Sequence, residues 1–110
     1  MPKFLFVYHG GEQPGSPDEA VNTIKAWNRW VAHHPGVWID EGFPVGQSHT
    51  VSVSGTVPNG GANPTMGISV IEVPTLQEAL DIASGCPMIA MGGSVEVAEA
   101  HEIPEISGRE

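Results

Sequence analysis

The 110-residue sequence predicts a single α+β domain in which two helices cover one face of a four-stranded antiparallel sheet. Three features carry this expectation. The segment Lys3 to His9 alternates with period two, two capping-box signatures each open an apolar stripe of helical period, and further alternating segments rich in β-branched residues follow each. The resulting order is β-α-β-β-α-β, the split-βαβ or ferredoxin-like arrangement.

In the first strand Phe4, Phe6 and Tyr8 face one way, and Leu5, Val7 and His9 face the other. Both rows are largely apolar, so one of them must lie on the sheet face without helices, where an exposed apolar patch favours association. A homodimer paired through its sheets about a two-fold axis is the expected cover. Gly10-Gly11 and Pro14-Gly15 mark a loop. Ser16 then supplies an N-cap, Pro17 the first helical position and Glu19 the third residue after the cap. At 100° per residue Ala20, Ile24, Trp27, Val31 and His34 form one stripe expected to face the sheet, with Trp30 at its flank. Pro35-Gly36 closes the helix.

Val37 to Asp40 reads as a short extended stretch and Glu41 to Pro44 as a turn, so the second sheet strand is expected over His49 to Val57. There Val51, Val53 and Val57 share one face and Thr50, Ser52, Ser54 and Thr56 the other. The stretch Pro58-Asn59-Gly60-Gly61-Ala62-Asn63-Pro64 reads as a hairpin connection, and Gly67 to Val73 as the third strand. Thr75 to Glu78 repeats the capping box. The helix it opens is expected to bury Leu76, Ala79, Leu80 and Ala83 and to end at Gly85 in a left-handed conformation ahead of Pro87. Ser94 to Ala98 completes the sheet.

Thirteen acids against four bases give a formal charge of −9. Lys3, Lys25, Arg29 and Arg109 form no cluster able to neutralise a row of phosphates, which argues against nucleic acid as a partner. The opening Met1-Pro2-Lys3 leads into an apolar run too short for a signal segment or a membrane span, so no membrane is expected and a cytoplasmic location is. Cys86, the single cysteine, excludes an internal disulfide, and its place after a helix C-terminus disfavours thiolate. The glycine pairs at 10–11, 60–61 and 92–93 lack the flanking residues of a phosphate-binding loop, and no cofactor is expected.

Of the histidines His9, His33, His34, His49 and His101, His34 lies on the stripe that faces the sheet, and His33 is turned away from it. Asp40 follows the triplet Val37-Trp38-Ile39, where a carboxylate can orient an imidazole and stabilise its protonated form. His34, Asp40 and His49 are thus the catalytic candidates, as a His34–Asp40 or His49–Asp40 pair. The plainer role for Asp40 is a turn carboxylate accepting backbone N–H groups. The same three residues lack the His-x-x-x-His spacing that sets two metal ligands on one helix face, so no metal site is expected. His9 at the end of the first strand, Trp27 and Trp30 on the first helix, and Glu96 on the last strand are candidates for ligand binding. Against this stand core packing for the tryptophans, a strand-end hydrogen bond for His9 and a solvent-facing charge for Glu96.

The segment Gly85-Cys86-Pro87-Met88-Ile89-Ala90-Met91-Gly92-Gly93-Ser94-Val95-Glu96-Val97, preceded by Leu76-Gln77-Glu78-Ala79-Leu80, resembles the second helix and final strand of the YCII-related, or DGPF-domain, family. Trp27 to Trp30 and Val37 to Pro44 resemble that family's first helix and its exit, whereas the Asp-Gly-Pro-Phe tetrapeptide is replaced by Pro58 to Pro64. The resemblance implies a dimeric α/β barrel with a small-molecule pocket between sheet and helices, where some relatives are proposed to use a His–Asp pair. It also implies that activity is open. A few relatives are dehydrochlorinases of chlorinated rings, and others are associated with alternative sigma factors. The functions expected are a cofactor-free lyase using a His/Asp acid–base pair, a non-catalytic ligand-binding or regulatory module, or a dimerising scaffold.

Overall fold

In a computed structural model, described over residues 1–59, 61 and 63–103, the chain is an α+β domain with an antiparallel sheet and three helices. The sheet order is β2 (Trp38–Pro44), β5 (Thr65–Glu72), β1 (Lys3–His9) and β6 (Ser94–Ala100), and each neighbouring pair is antiparallel. Helix α1 (Pro17–Ala32) links β1 to β2, and α2 (Leu76–Ser84) with the four-residue α3 (Pro87–Ala90) links β5 to β6. A separate two-stranded ribbon, β3 (Thr50–Ser52) and β4 (Gly55–Val57), stands between β2 and β5 in sequence. Of the hairpin connection read from sequence, Gly60 and Ala62 lie outside the described residues, as does Arg109.

The principal correction concerns the second strand. It is Trp38 to Pro44, and the alternating His49 to Val57 segment lies outside the main sheet. Its valines are uncovered, with Val51 77% and Val57 48% exposed, so the alternation there reflects ribbon geometry without burial. The strand Trp38–Pro44 was obscured because it is irregular: its pairing with β5 slips between Trp38 and Asp40 and again between Asp40 and Phe43. Such bulges break the period of two on which sequence patterning depends.

Both helices are capped at their starts by the expected N-cap side chains. Ser16 Oγ accepts the Glu19 N–H and Thr75 Oγ1 the Glu78 N–H, each at 3.2 Å, while the Glu19 carboxylate accepts the Gly15 N–H. Helix α2 ends differently from expectation. Gly85 has φ −93°, on the right-handed side, and the N–H groups of Gly85 and Cys86 continue turning onto Ile82 and Ala83 carbonyls. Pro87 therefore begins α3 as its first residue, a position where the missing N–H costs nothing.

The core lies between one sheet face and the helices. Phe4, Phe6 and Ile71 are at most 1% exposed, and each such side chain contributes about 1.5–3 kcal/mol by leaving water. Trp30 sits at the centre rather than at the flank of α1's buried stripe. It is 5% exposed, whereas Ile24 is 60% exposed. The Trp30 ring stacks on Phe6 at 6.2 Å and meets Trp27 and Trp38 edge-on at 5.4 and 5.0 Å. Its Nε1–H donates to the Ile82 carbonyl of α2 at 2.9 Å, so this indole joins both helices to the sheet. On α2 the buried face is Ala79, Ile82 and Ala83, while Leu76 and Leu80 remain 50% and 41% exposed. The opposite sheet face carries Leu5, Val7, Ile68 and Val70, which by register alternate with the core row.

Two predictions follow from this packing. Trp30→Ala should destabilise the domain by about 3–5 kcal/mol in urea unfolding, whereas Ile24→Ala should cost less than about 1 kcal/mol. Equal losses would show that the stripe is not centred on Trp30. Gly42→Ala should abolish folding or reduce stability severely, because at φ +78° its Cβ would fall 1.6 Å from the Ile68 carbonyl oxygen. Gly36→Ala, at φ +80° with nothing within 4 Å, should cost only the left-handed strain of about 1–2 kcal/mol.

Candidate functional site

A cleft of about 450 Å³ opens where α1 leaves the sheet uncovered, bounded by the β1–α1 loop, the Glu41–Pro44 end of β2 and the start of β5. The elements place its walls in order. Alternation on β1 points Tyr8 toward the helices, and two successive turns of α1 set Ile24, Trp27, Asn28 and Val31 along the cleft. Met66 closes it from β5, and Met88 and Met91 from the α3 region. Flexible thioethers adapt to the shape of a ligand, and Trp27, edge-on to Tyr8 at 5.0 Å, offers an aromatic surface. Glycine makes the methionine wall possible: a Cβ on Gly93 would lie 2.8 Å from Met88 Sδ and 2.4 Å from the His9 carbonyl.

Polar groups hold one side of the cleft rigid. The Tyr8 hydroxyl donates to Ser69 Oγ at 2.7 Å, and Ser69 in turn donates to the Glu41 backbone carbonyl at 2.6 Å. Burial pushes the Tyr8 phenol well above its ordinary value, so it stays protonated and remains a donor. Asp40 Oδ1 accepts the Gly42 N–H at 2.8 Å, which fixes the β2 bulge that brings Glu41 over Ser69. Glu12 and Glu41 are the acidic residues lining this cleft among the described residues, and no Lys, Arg or His lines it.

Of the seven residues singled out from sequence, only Trp27 lines the cleft. Trp30 is in the core, bonded to Ile82, and does not reach it. His34 is half-buried just beyond the C-terminus of α1, Asp40 is exposed and engaged with Gly42, and His49 is exposed before the ribbon. The structure does not bring these three together: among the described residues the histidine–carboxylate pairs are His9–Glu96 and His101–Glu99. Among those residues, too, no three His, Cys, Asp or Glu side chains converge on a metal position. Cys86 is 3% exposed, and burial pushes its thiol up to about 11, an apolar contact rather than a nucleophile.

His9 and Glu96 do meet, on the sheet face away from the helices, where β1 and β6 run side by side. His9 Nε2 lies 2.8 Å from Glu96 Oε1 and Nδ1 3.2 Å from the Pro64 carbonyl. An acceptor at each nitrogen favours the protonated ring. The Glu96 hydrogen bond raises its pKa most, burial opposes this, and the Pro64 carbonyl adds to the rise. Sequence reasoning missed Tyr8, Asn28 and the methionines of the cleft. The available signal was Ile24, an apolar residue on the helix stripe that the core does not need.

No protein-family model matches the chain, and no curated protein matches it. Among solved structures it is similar to 5-chloro-2-hydroxyhydroquinone dehydrochlorinase from Burkholderia phenoliruptrix, solved in complex with 2,5-dihydroxybenzoquinone. The likeness has a TM-score of 0.52 at 15% identity, over 88% of this chain and 93% of that one, and shows a shared fold. A hydantoinase/carbamoylase family amidase from Burkholderia ambifaria matches at 14% identity with a TM-score of 0.36, over 94% of this chain and 28% of that one. Among the described residues no helix is long and apolar enough to cross a membrane.

The His9–Glu96 pair sets a pH dependence. Folding holds a proton on His9, so the stability it contributes is full below the ordinary imidazole value of 6.5 and is lost as pH rises through the higher folded value. The His9 ring signals should titrate above 6.5 in NMR, and thermal stability should fall on passing from pH 6 to pH 9. Glu96→Gln should lower the midpoint and flatten the fall. An unchanged midpoint in that variant would show that the carboxylate does not hold the proton.

Proposed function

We propose that the protein binds a flat, largely apolar small molecule in the cleft between α1 and the sheet. The supporting observation is the cleft itself: about 450 Å³ walled by Tyr8, Trp27 and three methionines, a size and lining suited to a small ring. The strand order β2-β5-β1-β6, with helical crossovers on one face, supports a ferredoxin-like domain of the dimeric α/β-barrel type. Ile68, 38% exposed, together with Leu5, Val7 and Val70, forms the apolar face that a second copy would cover. Membership of the YCII-related family belongs to the same proposal, supported by the matching segments of α2 to β6 and by the shared fold.

A cofactor-free lyase is the catalytic form of this proposal, supported by the fold shared with a dehydrochlorinase. In such an elimination a base removes a proton, the freed pair forms the double bond, and the leaving group departs with its electrons. At this cleft Glu12 and Glu41 are the residues that can supply a carboxylate base, while the Tyr8 hydroxyl hydrogen is committed to Ser69. A step through His34, Asp40 and His49 would require those residues to line the cleft, which they do not. Their separation favours the second reading, a module that holds its ligand unchanged.

The test uses protein labelled with ¹³C at the methionine methyl groups and titrated with 2-naphthol. The signals of Met66, Met88 and Met91 should shift saturably while Met1 does not, with Kd of roughly 0.1–1 mM for so small a ring. Ile24→Trp, which fills the cleft from an exposed position, should weaken binding at least tenfold without unfolding the protein. Absence of saturable shifts would overturn the ring-binding reading. Chloride release from 5-chloro-2-hydroxyhydroquinone separates lyase from binding module.

A further inference from the structure

A second cavity, also about 450 Å³, adjoins the first. The two share Gln13, Val45 and Met66 as lining residues, so they meet along a common wall at the β1–α1 loop and the start of β5. Their chemistry differs. Where the first is aromatic and thioether-rich, the second has no aromatic ring, and within a mainly apolar wall that includes Val45, Pro64 and Met66 it also carries the neutral hydrogen-bonding residues Gln13, Gln47, Ser48, Asn59 and Thr65.

Several of these groups already have partners. Gln47 Nε2 donates to the Pro58 carbonyl, Asn59 Oδ1 accepts the Gly61 N–H, and Thr65 Oγ1 is engaged with the backbone of Gly67. Ser48 differs from them: its Oγ is shielded from solvent and has no hydrogen-bond partner among the described residues. A buried hydroxyl left unpaired has lost its water without replacement, and a ligand group that both donates and accepts would restore the bond. Charge narrows the class further. No acid or base lines this second cavity among the described residues, and the first carries Glu12 and Glu41 without a base, in a chain of net charge −9. An anionic substituent would be desolvated with nothing to neutralise it.

We propose that the two cavities form one bipartite site for an uncharged molecule, with a flat apolar ring in the cleft and a neutral, hydroxyl-bearing arm bound by Ser48 and Gln13. This rests on the ring-binding reading above and adds the ligand's second half. It also accounts for the position of the Pro44–Thr50 segment, whose residues Val45 to Ser48 wall the second cavity before the chain enters the ribbon.

Three probes distinguish the possibilities, with binding followed by calorimetry: 2-naphthol as ring alone, 2-naphthyl β-glucoside as ring with a neutral hydroxylated arm, and 2-naphthyl phosphate as ring with an anionic arm. The glucoside should bind at least tenfold tighter than 2-naphthol, and the phosphate no tighter than 2-naphthol. Ser48→Ala should weaken the glucoside by about three- to tenfold, the effect of one neutral hydrogen bond, and leave 2-naphthol within twofold. The unchanged 2-naphthol affinity also reports that the variant is folded. If 2-naphthol binds but the glucoside binds no better, or the phosphate binds best, the second cavity is not an arm site and the ring cleft stands alone. If neither 2-naphthol nor the glucoside binds, both proposals fall.

Discussion

The fold depends on one indole. Trp30 reaches from α1 across the core, stacks on Phe6 of the central strand, meets Trp38 of the edge strand and donates its only polar hydrogen to the Ile82 carbonyl of α2. A buried indole N–H without an acceptor would be costly, so the bond fixes the spacing between the helices as well as satisfying the ring. Trp38 repeats this at smaller scale by donating from Nε1 to the Val31 carbonyl near the end of α1. Since both donors go to helix carbonyls, α1 and α2 cannot slide over the sheet independently.

Anchoring α1 through Trp30 has a consequence for its N-terminal half. The helix turns its Thr23 and Ile24 side away from the most densely filled part of the core: Trp27 meets Tyr8 edge-on at 5.0 Å, but Ile24 is left 60% exposed. Tyr8 would be the natural filler, but its hydroxyl is drawn toward Ser69 and through it to the Glu41 carbonyl. The cleft is therefore the space left by two satisfied polar constraints, the indole bond on one side and the phenol–serine–carbonyl chain on the other. Open space bounded by fixed walls is the usual setting of a small-molecule site.

Asp40 shows how a residue can matter to a site without standing in it. Sequence reasoning admitted a turn carboxylate as one of its roles, and the structure shows it accepting the Gly42 N–H. Gly42, at φ +78°, then packs directly against the Ile68 carbonyl, an approach that a side chain would forbid. The bulge so formed presents Glu41 to Ser69 and lets β2 edge the cleft, even though its irregular pairing concealed the strand from a periodicity argument.

The sequence by itself determined the parts whose causes are local. Caps at Ser16 and Thr75 fixed both helix starts, because a side-chain acceptor three residues before an orphan N–H is a short-range bond. Phe4, Phe6 and Tyr8 marked the buried row of β1, because period two survives in a regular central strand. Tertiary structure alone decided the rest: that a bulged Trp38–Pro44 displaces the better-patterned valine segment from the sheet, that Trp30 rather than Ile24 centres α1, and that His9 pairs with Glu96 while His34, Asp40 and His49 stay apart. Each of these is a choice among partners distant along the chain, from the 23 residues between Pro44 and Gly67 to the 87 between His9 and Glu96, and no local pattern encodes which of two plausible segments gains the better contact.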